Sequence, residues 1–330
     1  MYIPTPSYNM INFQNFNSLY SVTSYFNNEH ICKQVIAELR WADGDIICPY
    51  CGNHNCITRK DGKYRCNNCL KNFSVTVGTI FENTKISLVK WFMAMYLISS
   101  HKKGISSHQL GRDLQISQKT AWFMLQKIRT LFAQNDADKF HGSIELDEVY
   151  IGGKEKWKHM SKRTPNTQGR STKTKTPIFG IMEYATYIDK HGVECKTTYA
   201  HAFVVEATDG KTLLPIVEKY VERGSCVTTD ELNSYSGLGD MGYYHRVVRH
   251  GSQEYVRDGV NTNAMEGFWS HFRRMIMGCY HDVSDKYIQR YINEAVYRWN
   301  TRNMDESQRF AHMFNKSIGK CNYLQVKMSA

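Results

Sequence analysis

Three acidic residues stand at positions suited to metal-assisted chemistry. Glu145-Leu-Asp147-Glu148 lies in an alternating, β-branched run that leads into Tyr150-Ile-Gly-Gly153, so Asp147 is expected to project from a strand just before a glycine turn. Val227-Thr-Thr-Asp230 ends a second short apolar run, which sets Asp230 at or just past a strand end, where sheet-based sites gather their ligands. Further on, Asn261 to Ile276 reads as a helix. Met265, Phe268, Trp269, Phe272 and Ile276 form its packing stripe, while Asn263, Glu266, Ser270 and Arg273 follow one another along another face. Glu266 lies 36 positions after Asp230. Arg273 comes about two helical turns later, a placement suited to neutralising a phosphate. Hard divalent ions such as Mg²⁺ or Mn²⁺ prefer oxygen ligands, and a few carboxylates can hold two of them to activate an attacking oxygen and stabilise a leaving one. The chemistry expected of Asp147, Asp230 and Glu266 is therefore metal-dependent phosphoryl transfer.

A second set of ligands is closer together in sequence. Cys48-Pro-Tyr-Cys51 and Cys66-Asn-Asn-Cys69 are two CxxC knuckles separated by 14 residues, a spacing that brings four thiolates around one Zn²⁺. The segment between them, Thr58 to Arg65, is expected to form a hairpin turning at Asp61-Gly62. His54 and Cys56 are nearby spare donors that a completed four-sulfur shell leaves out. The zinc is expected to hold together a small module that could not otherwise fold.

Residues 106–132 carry a helix-turn-helix pattern. Ser107 can cap a first helix containing Leu110 and Leu114, Ile116 occupies a four-residue turn, and Ser117 can cap a second helix with Ala121, Met124, Leu125 and Ile128 inside. Gln118, Lys119 and Thr120 would then stand at the end of the second helix that such folds present to a major groove. A basic stretch follows at 154–176, with eight Lys or Arg against one Glu. Lys154, Lys156, Lys158, Lys162 and Arg163 are its candidate contacts to a DNA backbone.

The elements that must position these residues fall into modules. The chain has 330 residues and 42% hydrophobic content, enough for more than one core. The expected organisation is an extension at 1–29, a zinc ribbon at 30–80 entered by a short amphipathic helix from His30 to Trp41, and a helical region at 81–139. Near residue 140 the texture changes to short β-rich runs. An α/β catalytic domain is expected over 140–304, with helices returning near Asn261 and with Tyr287 to Trp299 as core, and a tail over 305–330. The formal charge of +11 favours a polyanionic partner. No apolar run is long enough to span a bilayer and the first twenty residues do not read as an export signal, so a cytoplasmic, nucleoid-associated protein with no membrane role is expected.

At these residues the chain resembles bacterial insertion-sequence transposases of the ISXO2-like type, relatives of the eukaryotic Merlin elements, which join an amino-terminal zinc ribbon to a DDE catalytic domain. The likeness runs from about Cys48 to Arg302 through CPYCG, ELDEVYIGGKEK, PIFGIME, TTDELNSY, VRHGSQEYV, NTNAMEGFWSHFRR and GCYHDVSDKYIQRYINEAVYRWNTR. The resemblance implies a ribonuclease H-like fold in which Asp147 and Asp230 match the two motif aspartates and Glu266 the third acid. Asn263 is an alternative third residue, and Asn261 stands where many relatives carry His. His250 and His281 fall in matched segments. The function implied is that of a transposase, binding the terminal inverted repeats of its element and target DNA as a homo-oligomer, cutting strands and joining 3′-hydroxyl ends. The alternatives are a non-catalytic DNA-binding regulator derived from a transposase and a ribonuclease H-like nuclease without strand transfer.

Overall fold

Alternation in Ser143–Gly152 makes this segment, β4, the pivot of a sheet. Ile144 and Leu146 point to one face and Glu145, Asp147 and Val149 to the other. The computed structural model describes residues 11–41, 44–134, 139–152, 158–165, 167, 173–189, 191–248 and 263–318. The chain divides into two units, Met1–Leu131 with Asn303–Ala330, and Phe132–Arg302.

In the second unit β4 is flanked by β5 (Lys175–Ile188), β6 (Glu194–Val204), β7 (Cys226–Thr229) and β8 (Tyr244–Val247), in the spatial order β6-β5-β4-β7-β8. The β4-β5 and β5-β6 pairs are antiparallel, whereas β4-β7 and β7-β8 are parallel. The parallel β4-β7 pair needs a crossover, and part of it is helix α6 (Gly210–Tyr220), capped by Asp209. Leu213 and Val217 of α6 pack with Ile144, Leu146, Phe179, Ile181 and Val227 on one face. The other face is covered by α7 (Asn263–Met275) and α8 (Ile288–Asn300), whose Phe268, Phe272, Ile292 and Ala295 meet Val149, Ile178, Met182 and Ala202. This mixed sheet with helices on both faces is consistent with the ribonuclease H-like fold. The aromatic stripe of the late helix is core as expected, with Tyr291 and Val296 buried.

The outer edge of β6 is closed by side chains. Asn300 exchanges hydrogen bonds with the Ala200 backbone at 2.8 and 3.0 Å, Gln134 with Ala202 at 2.7 and 3.0 Å, and Gln289 accepts from the Val204 N–H at 2.7 Å. Carboxamides, which both donate and accept, thus occupy groups that would otherwise template another strand.

The first unit is helical apart from its ribbon. It holds α1 (Leu19–Tyr25), α2 (Glu29–Arg40), the antiparallel strands β1 (Cys56–Thr58), β2 (Tyr64–Cys66) and β3 (Asn72–Phe73), then α3 (Leu88–Ser100), α4 (Ser107–Leu114), α5 (Gln118–Thr130) and α9 (Glu306–Ser317). Two segments depart from expectation. In the described part of the extension, Phe16, Val22 and Phe26 are buried, and residues 306–317 of the expected tail form a helix capped by Asp305. Phe310, Met313 and Phe314 of α9 are buried. The Phe314 ring lies 4.7 Å from that of Phe92 in α3, and Phe310 lies 6.0 Å from Phe16. Neither segment shows its burial in a short-range pattern, because the apolar partners come from opposite ends of the chain.

Candidate functional site

Asp147 lies on the face of β4 that α7 covers. Its Oδ2 accepts from the indole Nε1–H of Trp269 at 3.0 Å and its Oδ1 from the Glu148 N–H at 2.8 Å. Trp269 can approach because Gly180 faces Asp147 across the β4-β5 ladder. A Cβ at Gly180 would meet Met265 Cε at 1.8 Å and the Trp269 ring at 2.6 Å. The indole placed in the packing stripe from sequence therefore also fixes the rotamer of the first acid.

Asp230 follows β7 directly. The parallel ladder pairs Ile144 with Val227 and Glu145 with Thr228, so two residues on, Asp147 and Asp230 reach the same level on neighbouring strands. The turn after Asp230 is anchored at several points. Its Oδ1 accepts from the Leu232 N–H at 3.0 Å, the Thr229 hydroxyl donates to the Asp230 carbonyl at 2.8 Å, and His245 Nε2 lies 2.9 Å from that hydroxyl. The buried Tyr235 hydroxyl donates to Glu148 on β4, which ties the turn back to the first strand. Glu266 lies in the first turn of α7 and Arg273 further along it, both exposed. Asn263 begins the helix, and its side chain lies outside the described residues.

Asp147 feels the other two acids. Burial, reinforced by the charges of Asp230 and Glu266, pushes the Asp147 carboxyl up to about 6 against the opposing pull of its two N–H donors. A fourth acid, Glu145, was not singled out from sequence. It is fully buried and accepts from the Met265 N–H at 3.0 Å and from the Tyr184 hydroxyl. Burial pushes its carboxyl up to about 7. The signal that would have found it is the two-residue period of the strand, which sets Glu145 on the same face as Asp147. An all-oxygen donor set with mutually repelling charges fits a hard divalent cation, since each Asp147 oxygen keeps a lone pair beyond the bond it accepts.

The cysteines need no such distant assembly. The sulfurs of Cys48 and Cys69, and of Cys51 and Cys66, are 3.6 Å apart, and all four ligand atoms lie within 4.8 Å of one another. The expected hairpin forms, with Arg59 and Lys63 paired at 2.8 Å and Gly62 at φ +73°, a conformation glycine adopts without strain. His54 is engaged by Asp45, and the Cys56 thiol points to the Asn53 carbonyl. The four thiols fit tetrahedral Zn²⁺. Trp41, at the end of α2, closes over the hairpin 4.7 Å from the Tyr64 ring.

The two helices of the predicted helix-turn-helix form as α4 and α5. The first cap is Ser106 rather than Ser107, and the turn is three residues, with Gln115 left-handed. Ser107 is instead the first helical residue, and its hydroxyl accepts from the Gln118 amide at 2.8 Å. Ser117 caps α5 as expected, accepting from the Thr120 N–H at 3.2 Å. Of the three candidate base readers, Gln118 and Thr120 are thus partly engaged in holding the turn, and Lys119 is exposed. In the basic stretch Lys158, Lys162 and Arg163 are exposed around a short turn at Met160–Lys162. Lys154 and Lys156, like His250 and Asn261, lie outside the described residues. His281 follows a π-helical turn, Ile276–Tyr280, at φ +59° and is exposed. Among the described residues no helix is long and apolar enough to cross a membrane.

Residues 139–300 match the ISXO2-like transposase domain family, and residues 27–72 match the transposase zinc-ribbon domain family. Asp147, Asp230 and Glu266 fall inside the first match and the four cysteines inside the second. A relative from Halobacterium salinarum, described as an uncharacterized protein in transposable element ISH50, is 29% identical over 265 residues, 76% of this chain and 84% of that protein.

Proposed function

The chain belongs to the ISXO2-like transposases with an amino-terminal zinc ribbon, and from that premise we propose that it binds the terminal inverted repeats of an insertion sequence and carries out metal-dependent cleavage and strand transfer. The observation that carries the reading is the Asp147 carboxyl, clamped between Glu148 and Trp269 and level with Asp230 on the neighbouring strand, with burial first and then the charges of Asp230 and Glu266 raising it. Packing does not call for two acids level on neighbouring strands with a third on the covering helix, and a phosphoryl-transfer centre does.

Asp147, Asp230 and Glu266 would hold Mg²⁺ or Mn²⁺. When bound, these ions make an attacking water or 3′-hydroxyl a better nucleophile and offset charge at the scissile phosphate. Trp269 keeps Asp147 aimed, and the Leu232 and Thr229 contacts keep Asp230 at the strand end. We take Glu266 rather than Asn263 as the third acid, because its charge is one that Asp147 feels. Arg273 would steady a phosphate beside it. The ribbon would be held by Zn²⁺ on Cys48, Cys51, Cys66 and Cys69. Lys119, with Gln118 and Thr120, would meet the end DNA, and Lys158, Lys162 and Arg163 would meet its backbone. Pairing two ends implies a homo-oligomer on DNA, and such a protein acts in the cytoplasm at the nucleoid.

The test is cleavage and joining of the element's own end DNA by the purified protein with Mg²⁺, comparing wild type with Asp230→Ala. Joined product that the substitution abolishes, with end binding kept, is the expected outcome. Specific binding without cleavage in any metal would point to a DNA-binding regulator, and cleavage without joining to a nuclease.

A further inference from the structure

We propose that Glu145, with Tyr184, is a positioning residue for the third acid: buried Glu145 and the Tyr184 hydroxyl bonded to it hold the first turn of α7, and through it the backbone that sets Glu266 opposite Asp147 and Asp230. The inference rests on the metal-dependent reading above.

The first N–H groups of a helix have no partner within it, and a buried helix start must find acceptors elsewhere. In α7 one of them comes from the sheet. Glu145 Oε2 accepts from the Met265 N–H at 3.0 Å, a contact spanning 120 positions of chain. Its Oε1 accepts from the Tyr184 hydroxyl, and that hydroxyl is itself approached by the Ala264 N–H. The amides of residues 264 and 265 immediately precede Glu266, so the pair grips the backbone next to the proposed ligand. Glu145 is fully buried and thus has no solvent-facing role. It sits two residues before Asp147 on the same strand and the same face, so one rigid segment, β4, carries the first acid and also locates the third. A carboxylate suits the place because it accepts at both oxygens and its charge is favourable at a helix amino terminus.

The experiment is an Mn²⁺ titration of the full-length, zinc-loaded protein, with free Mn²⁺ read by electron paramagnetic resonance and thermal unfolding recorded beside it. Partners that orient metal ligands typically change metal affinity by about 10- to 100-fold. Glu145→Ala should therefore weaken Mn²⁺ binding by about tenfold or more. Glu145→Gln, whose amide oxygen can still accept from Met265, should stay within about threefold of wild type. Wild-type affinity in Glu145→Ala overturns the proposal, as does equal weakening by Ala and Gln. Wild-type affinity in Asp147→Ala would overturn the metal reading itself, which keeps the two failures apart. If Glu145→Ala does not fold, Tyr184→Phe, which removes a single hydroxyl, takes its place: weakened Mn²⁺ binding with an unchanged melting temperature is then expected, and unchanged affinity overturns the proposal.

Discussion

The zinc ribbon and the acid site proposed to hold divalent metal are built in opposite ways. The ribbon's donors lie within 22 consecutive residues, Cys48 to Cys69, and their sulfurs already converge within 4.8 Å. The acids span 120 positions, from Asp147 to Glu266; two parallel strands running level set Asp147 beside Asp230, and a helix pinned to the first strand carries Glu266. Among the described residues the four sulfurs are the group that meets that mutual distance. A closed tetrahedral shell suits a metal whose task is to hold a fold, and a looser set of oxygens suits a metal that must admit substrate. The difference is one between a site that makes its surroundings and a site that its surroundings make.

The largest effect should come from attacking the ribbon. Cys66→Ser removes one of four thiolates, and structural zinc in such modules contributes on the order of 10 kcal/mol of folding free energy. Amide exchange should show loss of protection in β1 to β3, with β4 to β6 unaltered. Retained protection in the ribbon would break the contrast. The matching change in the acid site, Asp147→Asn, should reduce metal-dependent cleavage by on the order of 1,000-fold, or about 4 kcal/mol. It should not lower the melting temperature at pH 8, because it removes a carboxyl that burial disfavours when charged. A variant that loses stability and activity together would make Asp147 structural.

Gly180→Ala should be intermediate. The added Cβ would meet Met265 and Trp269 well inside contact distance, so the domain is expected to lose about 1–3 kcal/mol. Displacing Trp269 should also lower activity, which thermal unfolding and a cleavage assay would read together. The smallest effect is that of pH without added divalent ion. The carboxyls of Asp147 and Glu145 sit above their ordinary range, at about 6 and about 7, so the folded protein binds more protons than the unfolded chain in that window. Their contribution therefore favours the fold at low pH and is lost as pH rises from the ordinary carboxylate range through 6 and 7. Melting curves of wild type and Glu145→Gln should diverge between pH 5 and 8, with the variant flatter, and parallel curves would count against that burial.

How much of this was legible beforehand varies with the range of the forces involved. The CxxC spacing, the Asp61-Gly62 turn, the Ser117 cap and the alternation of β4 and β5 are local, so they could be read residue by residue. The texture of short strands in 143–232 concealed α6, and β8, with its polar Tyr-His-Arg-Val, carries little strand signal. The burial of Glu145 is not legible in the sequence, because it arises only once Tyr184 and Met265 arrive from elsewhere. The extension and the tail looked unpatterned because their aromatic partners lie at the far end of the chain.

The sequence by itself determined which residues could bind metal, the strands and helices whose patterns are local, such as β4 and α5, and the kind of chemistry to expect, since these depend on residue type and short spacing. Tertiary structure alone decided that Asp147 and Asp230 stand level, that Gly180 makes room for Trp269 to bond Asp147, and that buried Glu145 accepts from the first turn of the helix carrying Glu266. Those facts depend on strand register and on atoms brought together from positions about a hundred residues apart, which no local pattern encodes.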